Sequence, residues 1–216
     1  MPASRILIPD STIQGQSVSS LYLICDGETC ARHDLTLVDF MTGALAGGAR
    51  IVQYRHKNIS RAEYAENLRR LTEIAGASGV KIIVNDFADL AEEFGLPLHL
   101  GQEDMLPQEL TVPYGRSTHS LSELAFALSA VPAPDYIALG TMFPSGTKRD
   151  VGTNRQLIPD YLNRTELPLV LIGGITLDNA AELPRSERIY YAIIGDAFRF
   201  GATREGIEKY ARNWTS

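Results

Sequence analysis

The residues best able to grip a phosphate are concentrated in one run, Ile51-Val52-Gln53-Tyr54-Arg55-His56-Lys57, whose apolar start gives way to a polar, basic end. Side chains of an extended segment alternate between faces, so Gln53, Arg55 and Lys57 fall on one side and Tyr54 and His56 on the other. An amide, a planar guanidinium and an ammonium in a row suit an anionic ligand. Further polar clusters follow: Asn85-Asp86, Gly101-Gln102-Glu103-Asp104 and Ser117-Thr118-His119. Asp86 and Asp104 together suit Mg²⁺, which takes one or two carboxylates plus substrate phosphates and water. Each also has an ordinary role open to it, since Asp86 precedes a helical run and Asp104 a proline-containing turn, both N-cap settings.

Two glycine-containing stretches add backbone amides. Phe143-Pro144-Ser145-Gly146-Thr147-Lys148 carries hydroxyls and an ammonium that could close on an anion, or it is a plain surface turn. Gly173-Gly174-Ile175 precedes Thr176, which is expected to cap a following helix and so to bring a helix N-terminus to the same point. Of the histidines, His119 sits in the Ser117-Thr118-His119 cluster, His99 lies within a short apolar run, and His33 and His56 have no evident partners.

These clusters need a scaffold that brings them to one place. From Leu21 onward, short apolar runs alternate with helical patterns, as in successive β/α units around a parallel sheet. Eight strands are predicted: Leu21 to Cys25, Ile51 to Arg55, Lys81 to Asn85, Leu98 to Leu100, Tyr114 to Ser117, Tyr136 to Leu139, Leu169 to Ile172 and Ile189 to Ile194. Leu37, Phe40, Met41, Ala44 and Leu45 recur at helical spacing, as do Leu121, Leu124, Ala125 and Leu128, then Ile207, Tyr210, Ala211 and Trp214. Ser60 with Glu63, and Ser120 with Glu123, read as capping boxes. The fold expected is α/β, a single (β/α)8 TIM barrel with parallel strands. Residues 1–20 form an N-terminal arm and 21–216 the barrel. No G-x-G-x-x-G follows the first strand, which argues against a doubly wound dinucleotide-binding sheet. In a barrel, the polar clusters above all fall on the loops at the C-terminal ends of strands, where barrel chemistry sits.

Composition narrows the partners. A net charge of −6 provides no overall field for nucleic acid or anionic lipid, so an anionic ligand must be held by a local basic cluster. No apolar run reaches the length of a membrane span. Two cysteines, Cys25 and Cys30, are too few for a disulfide framework and lack zinc spacing, which fits reduced thiols and a cytoplasmic location. The expected partners are small molecules, with no nucleic acid and no membrane, and a homodimer remains open.

Across most of the barrel the chain resembles the thiamine phosphate synthase family. The resemblance rests on Val52-Gln53-Tyr54-Arg55-His56-Lys57, Ile83-Val84-Asn85-Asp86, Leu100-Gly101-Gln102-Glu103-Asp104, Gly115-Arg116-Ser117-Thr118-His119, Thr147-Lys148 and Gly173-Gly174-Ile175, in that order. It implies that Gln53, Arg55, Lys57 and Asn85 hold an aminopyrimidine diphosphate, completed by Ser117 and Lys148, with Asp86 and Asp104 on Mg²⁺. Ser145, Thr147, Gly174, Ile194 and Gly195 would face a thiazole phosphate. It also implies that Arg55, Lys57, Ser117 and Lys148 serve the reaction itself. That reaction joins the pyrimidine methyl carbon to the thiazole nitrogen and releases pyrophosphate by a dissociative route.

The chain departs from the family pattern at Ile194-Gly195-Asp196, where Ile-Ser-Ala is usual. Gly195 keeps its amide but lacks a hydroxyl, worth about 1 kcal/mol of binding. A carboxylate of Asp196 aimed at the acceptor phosphate would repel it by roughly 1 to 4 kcal/mol at about 4 Å, so its direction matters. Two other readings use the same residues. One is a thiazole tautomerase-like enzyme with His119 as general acid and base. The other is a non-catalytic barrel that binds a phosphorylated ligand.

Overall fold

A computed structural model describes residues 12–13, 16–17, 20–76, 78–144 and 152–215 of the chain. Eight parallel strands close into a barrel in chain order. They are β1 Leu21–Asp26, β2 Ile51–Arg55, β3 Lys81–Asn85, β4 Leu98–Leu100, β5 Tyr114–Thr118, β6 Tyr136–Gly140, β7 Leu169–Ile172 and β8 Ile189–Ile193. Closure is made by β8 on β1, with Tyr191 opposite Leu21. The apolar runs thus mark every strand, with ends shifted by a residue: β1, β5 and β6 each run one further, and β8 stops before Ile194. Ahead of the barrel, Thr12–Ile13 pairs antiparallel with Gln16–Ser17.

Each strand is buried on both faces, as a helix-covered parallel sheet requires. On β1, Leu21, Leu23 and Cys25 join the layer between strands and helices, whereas Tyr22 and Ile24 point into the barrel. The interior is filled by Tyr22, Ile24, Ile51, Ile83, Tyr136, Ala138, Val170, Tyr190 and Ala192. Gly115 on β5 is part of that fit, because a Cβ there would overlap the Tyr136 ring. The missing side chain on one strand makes room for a large one on its neighbour.

The outer layer comprises α1 Gly27–Arg32, α2 Leu37–Ala46, α3 Arg61–Ala75, α4 Ala88–Phe94, α5 Leu121–Leu128, α6 Ile158–Arg164 and α7 Arg204–Thr215. Ser60 and Glu63 form the reciprocal capping box. At α5 only half of one forms. Ser120 Oγ accepts from the Glu123 amide, but the Glu123 carboxylate bonds the amide of His119 (2.7 Å) instead of that of Ser120.

The helix expected after Thr176 is absent. Thr176 Oγ1 accepts from the Asn179 amide (3.2 Å), but only a single 3₁₀ turn, Ala180–Glu182, follows before Pro184. The connection to β8 is too short and too soon interrupted by proline to wind further. This leaves a hollow of about 560 Å³ on the outer wall beside α6, lined by Ile158, Leu162, Leu183 and Pro184 among others. None of the phosphate-gripping residues lies in it.

Candidate functional site

At the C-terminal rim, β1 and β2 end side by side, with Asp26 in register with Arg55. Asp26 is 3% exposed and caps α1, its Oδ1 accepting from the Thr29 amide (2.9 Å) and hydroxyl (2.6 Å). Its Oδ2 closes an ion pair with the Arg55 guanidinium. Burial works to raise the Asp26 pKa, but the Thr29 and Arg55 hydrogen bonds outweigh it and hold the carboxyl below its usual value. Arg55 is therefore a steered cation. Lys57 lies beyond the end of β2, exposed, with Nζ 3.9 Å from Asp86 Oδ2. Arg55 also lies 4.0 Å from Glu28 Oε2, so the basic row faces three carboxylates. Asp26 was not singled out from the sequence, although its strand parity with Ile24 and its place three residues before Thr29 are the available signals.

Asp86 follows β3 with φ at 68°, a left-handed conformation that aspartate tolerates better than most residues. It does not cap α4, whose N-cap is Phe87 with no side-chain bond. Asp104 instead folds its own turn, Oδ2 accepting from the Gly101 amide at 2.6 Å. Neither aspartate therefore serves as a helix cap. The two carboxyls act on each other: burial raises the Asp86 pKa, and the charge and hydrogen bond of Asp104 raise it further, against the pull of Lys57 and Arg55. Carboxylates that repel each other at an open rim fit a divalent cation. Among the described residues no group of three or more His, Cys, Asp or Glu could hold a metal.

Below the rim, Gln53 and Asn85 are buried in the barrel. Gln53 Nε2 donates to the Tyr22 hydroxyl (3.0 Å), which lies 2.9 Å from that of Tyr136. Tyr136 meets His99 Nδ1 (2.7 Å), and His99 Nε2 meets Ser117 Oγ (2.9 Å). From the sequence alone, His99 reads as a residue within a short strand. Its period-two spacing from the rim is its only signal there. Burial pushes its pKa down to about 4, so it is neutral at pH 7. His119, which the sequence placed on the rim, follows the end of β5 and is exposed, with Nδ1 3.3 Å from Glu123 Oε2.

On the β7 and β8 side, Gly174 has φ at 64°, and a Cβ there would come within 2.5 Å of the Phe143 carbonyl oxygen. Only glycine fits. Ile194 packs on the interior cluster, and Gly195 follows in a 3₁₀ turn, Gly195–Phe198, with open space where a Cβ would be. Asp196 does not project alone from that turn, since its Oδ2 accepts from the Leu177 amide (2.9 Å) and the Tyr210 hydroxyl (2.8 Å). Its charge is committed to holding the β7 loop against α7. Ser145, Thr147 and Lys148 lie outside the described residues. No helix among the described residues is long and apolar enough to cross a membrane.

Residues 21–195 match the family model described as thiamine monophosphate synthase. The chain is 37% identical over 182 residues to a thiamine biosynthesis bifunctional protein of Geobacter sulfurreducens, covering 81% of this chain but 34% of that protein. It is 32% identical to the thiamine-phosphate synthase of Clostridioides difficile over 90% of this chain and 93% of that one. The structure of a thiamine phosphate pyrophosphorylase from Pyrococcus furiosus superposes with a TM-score of 0.73 at 27% identity, covering 90% of this chain and 92% of the other. A family-model match over residues 21–195 and 32% identity over 90% of the chain, joined to the same closed barrel, make this chain a member of the thiamine monophosphate synthase family.

Proposed function

We propose that the protein joins an aminopyrimidine methyl diphosphate to a hydroxyethylthiazole phosphate, forming thiamine phosphate and releasing pyrophosphate. The observation that carries this reading is that Asp86 and Asp104 act on each other beside Lys57 and Arg55 on one rim. In the reaction the bond from the pyrimidine methylene carbon to the diphosphate oxygen breaks, and its electron pair leaves with pyrophosphate. The thiazole nitrogen lone pair then forms the new carbon–nitrogen bond. No side-chain nucleophile is required.

Asp86 and Asp104 would hold Mg²⁺, which supplies charge neutralisation to the leaving diphosphate when bound. Arg55, oriented by Asp26, and Lys57 donate hydrogen bonds to the same leaving oxygens. Gln53, Asn85 and Ser117 fix the pyrimidine end within the barrel mouth and exclude water from the carbon that develops charge. Lys148 is assigned to the diphosphate, and Ser145 and Thr147 to the thiazole phosphate, on the resemblance. Gly174, Ile194 and Gly195 offer backbone at the opposite wall for that phosphate. Both substrates are small molecules, and the location proposed is cytoplasmic.

Incubating the purified protein with both substrates and Mg²⁺ should yield thiamine phosphate and pyrophosphate in equal amounts, and a chelator should stop it. A folded protein that gives neither product would overturn the reading.

A further inference from the structure

The chain of hydrogen bonds inside the barrel has a direction that its donors and acceptors dictate. Gln53 Nε2 can only donate, so the Tyr22 oxygen accepts from it. The Tyr22 hydrogen then has the Tyr136 oxygen, 2.9 Å away, as its acceptor. Tyr136, having accepted there, donates to His99 Nδ1 at 2.7 Å. A neutral imidazole whose Nδ1 accepts carries its proton on Nε2, and this N–H points at Ser117 Oγ, 2.9 Å away. The reverse direction would leave the Tyr22 hydrogen with no acceptor in a residue that is 1% exposed, a costly arrangement. Gly115 holds the relay in place by leaving room for the Tyr136 ring between β5 and β6.

We propose that Tyr22, Tyr136 and His99 are positioning residues that orient Ser117 as a hydrogen-bond donor. With one lone pair taken by the histidine N–H, the serine keeps its hydrogen for an acceptor atom on the bound diphosphate substrate. At the other end, the Gln53 side-chain oxygen has no partner among the described residues and is left as an acceptor. The relay therefore ends in an acceptor at Gln53 and a donor at Ser117. Burial supports this by keeping the imidazole uncharged. The ligand's identity rests on the function proposed above, whereas the relay itself does not.

The direction is read without any substrate, by ¹⁵N NMR of the histidine rings in the ligand-free protein. A neutral His99 with its proton on Nε2 is expected, and that preference should be lost in Tyr136→Phe. A proton on Nδ1 in the unaltered protein would overturn the relay, whether or not the enzyme turns over. In kinetics, Tyr136→Phe and Ser117→Ala should each lower kcat/KM for the pyrimidine diphosphate about tenfold, with KM for the thiazole phosphate unmoved. Their double variant should lose little more than either alone, because both break one chain. Additive losses would overturn the proposal, and Tyr22→Phe gives the same cycle should Tyr136→Phe fail to fold. The expected tautomer in a protein that makes no product would sink the proposed reaction and uphold the relay.

Discussion

Asp26 Oδ2 and the Arg55 guanidinium form an ion pair between two register partners on adjacent strands, with Asp26 almost fully buried and Arg55 open to the rim. A guanidinium held on one side by a fixed carboxylate keeps its remaining N–H groups aimed across the barrel mouth. Because Asp26 also caps α1, the cation's direction is tied to the backbone of the first loop.

Asp26→Asn separates these two roles. Asparagine caps a helix about as well as aspartate, so stability should change little through the cap. Arg55, however, loses its nearer charged partner and keeps Glu28 at 4.0 Å. Turnover should fall about tenfold or more through misplacement of a catalytic cation. Unchanged turnover in steady-state kinetics would show that Arg55 finds its position without help.

Asp104→Asn bears on the paired carboxylates. The half-saturating Mg²⁺ concentration should rise about tenfold or more, as one of two anionic ligands is lost. Metal-free stability should move the other way. Asp104 raises the Asp86 pKa in the folded state, so the repulsion is a cost that grows as pH rises through the carboxylate range. Removing it should raise the melting temperature at pH 7 in chelator. A lower Tm, or an unchanged metal requirement, would separate the two aspartates.

Gly195→Ser restores the hydroxyl that the family pattern carries there. Nothing lies within 4 Å of the position of its Cβ, so stability should stay within about 0.5 kcal/mol. One added hydrogen bond of about 1 kcal/mol would lower KM for the thiazole phosphate roughly fivefold. A rise in that KM would show that the turn points its hydroxyl elsewhere.

His99 gives stability a pH slope of defined sign. Its folded pKa of about 4 lies below the ordinary 6.5, so the unfolded chain binds the proton first on acidification. Between those values the unfolded state holds more protons, and stability must fall as pH drops from 6.5 toward 4. The stabilising effect of the neutral ring is intact above that window. Denaturation midpoints at pH 7 and pH 5 should differ less in His99→Asn than in the unaltered protein. Equal pH slopes would place the ring in contact with solvent.

The alternation of short strand runs with helical stripes by itself determined the barrel, since strands covered on both faces are mostly apolar and each of the eight is marked off by polar loops, although β5, Tyr114–Thr118, is largely polar. Loop position likewise placed Arg55, Asp86, Asp104 and Ser117 at one rim, since parallel strands bring all their C-terminal ends together. Side-chain direction was another matter. Asp196 lies where the sequence leaves its charge free to face a phosphate, yet it is turned onto Leu177 and Tyr210, because its partners come from β7 and α7. Asp26 and His99 stayed hidden for the same reason, since each is defined by a neighbour on another strand, and local periodicity carries no record of which strands will touch. Pattern decides which residues go inside, and only closure of the sheet decides which of them meet.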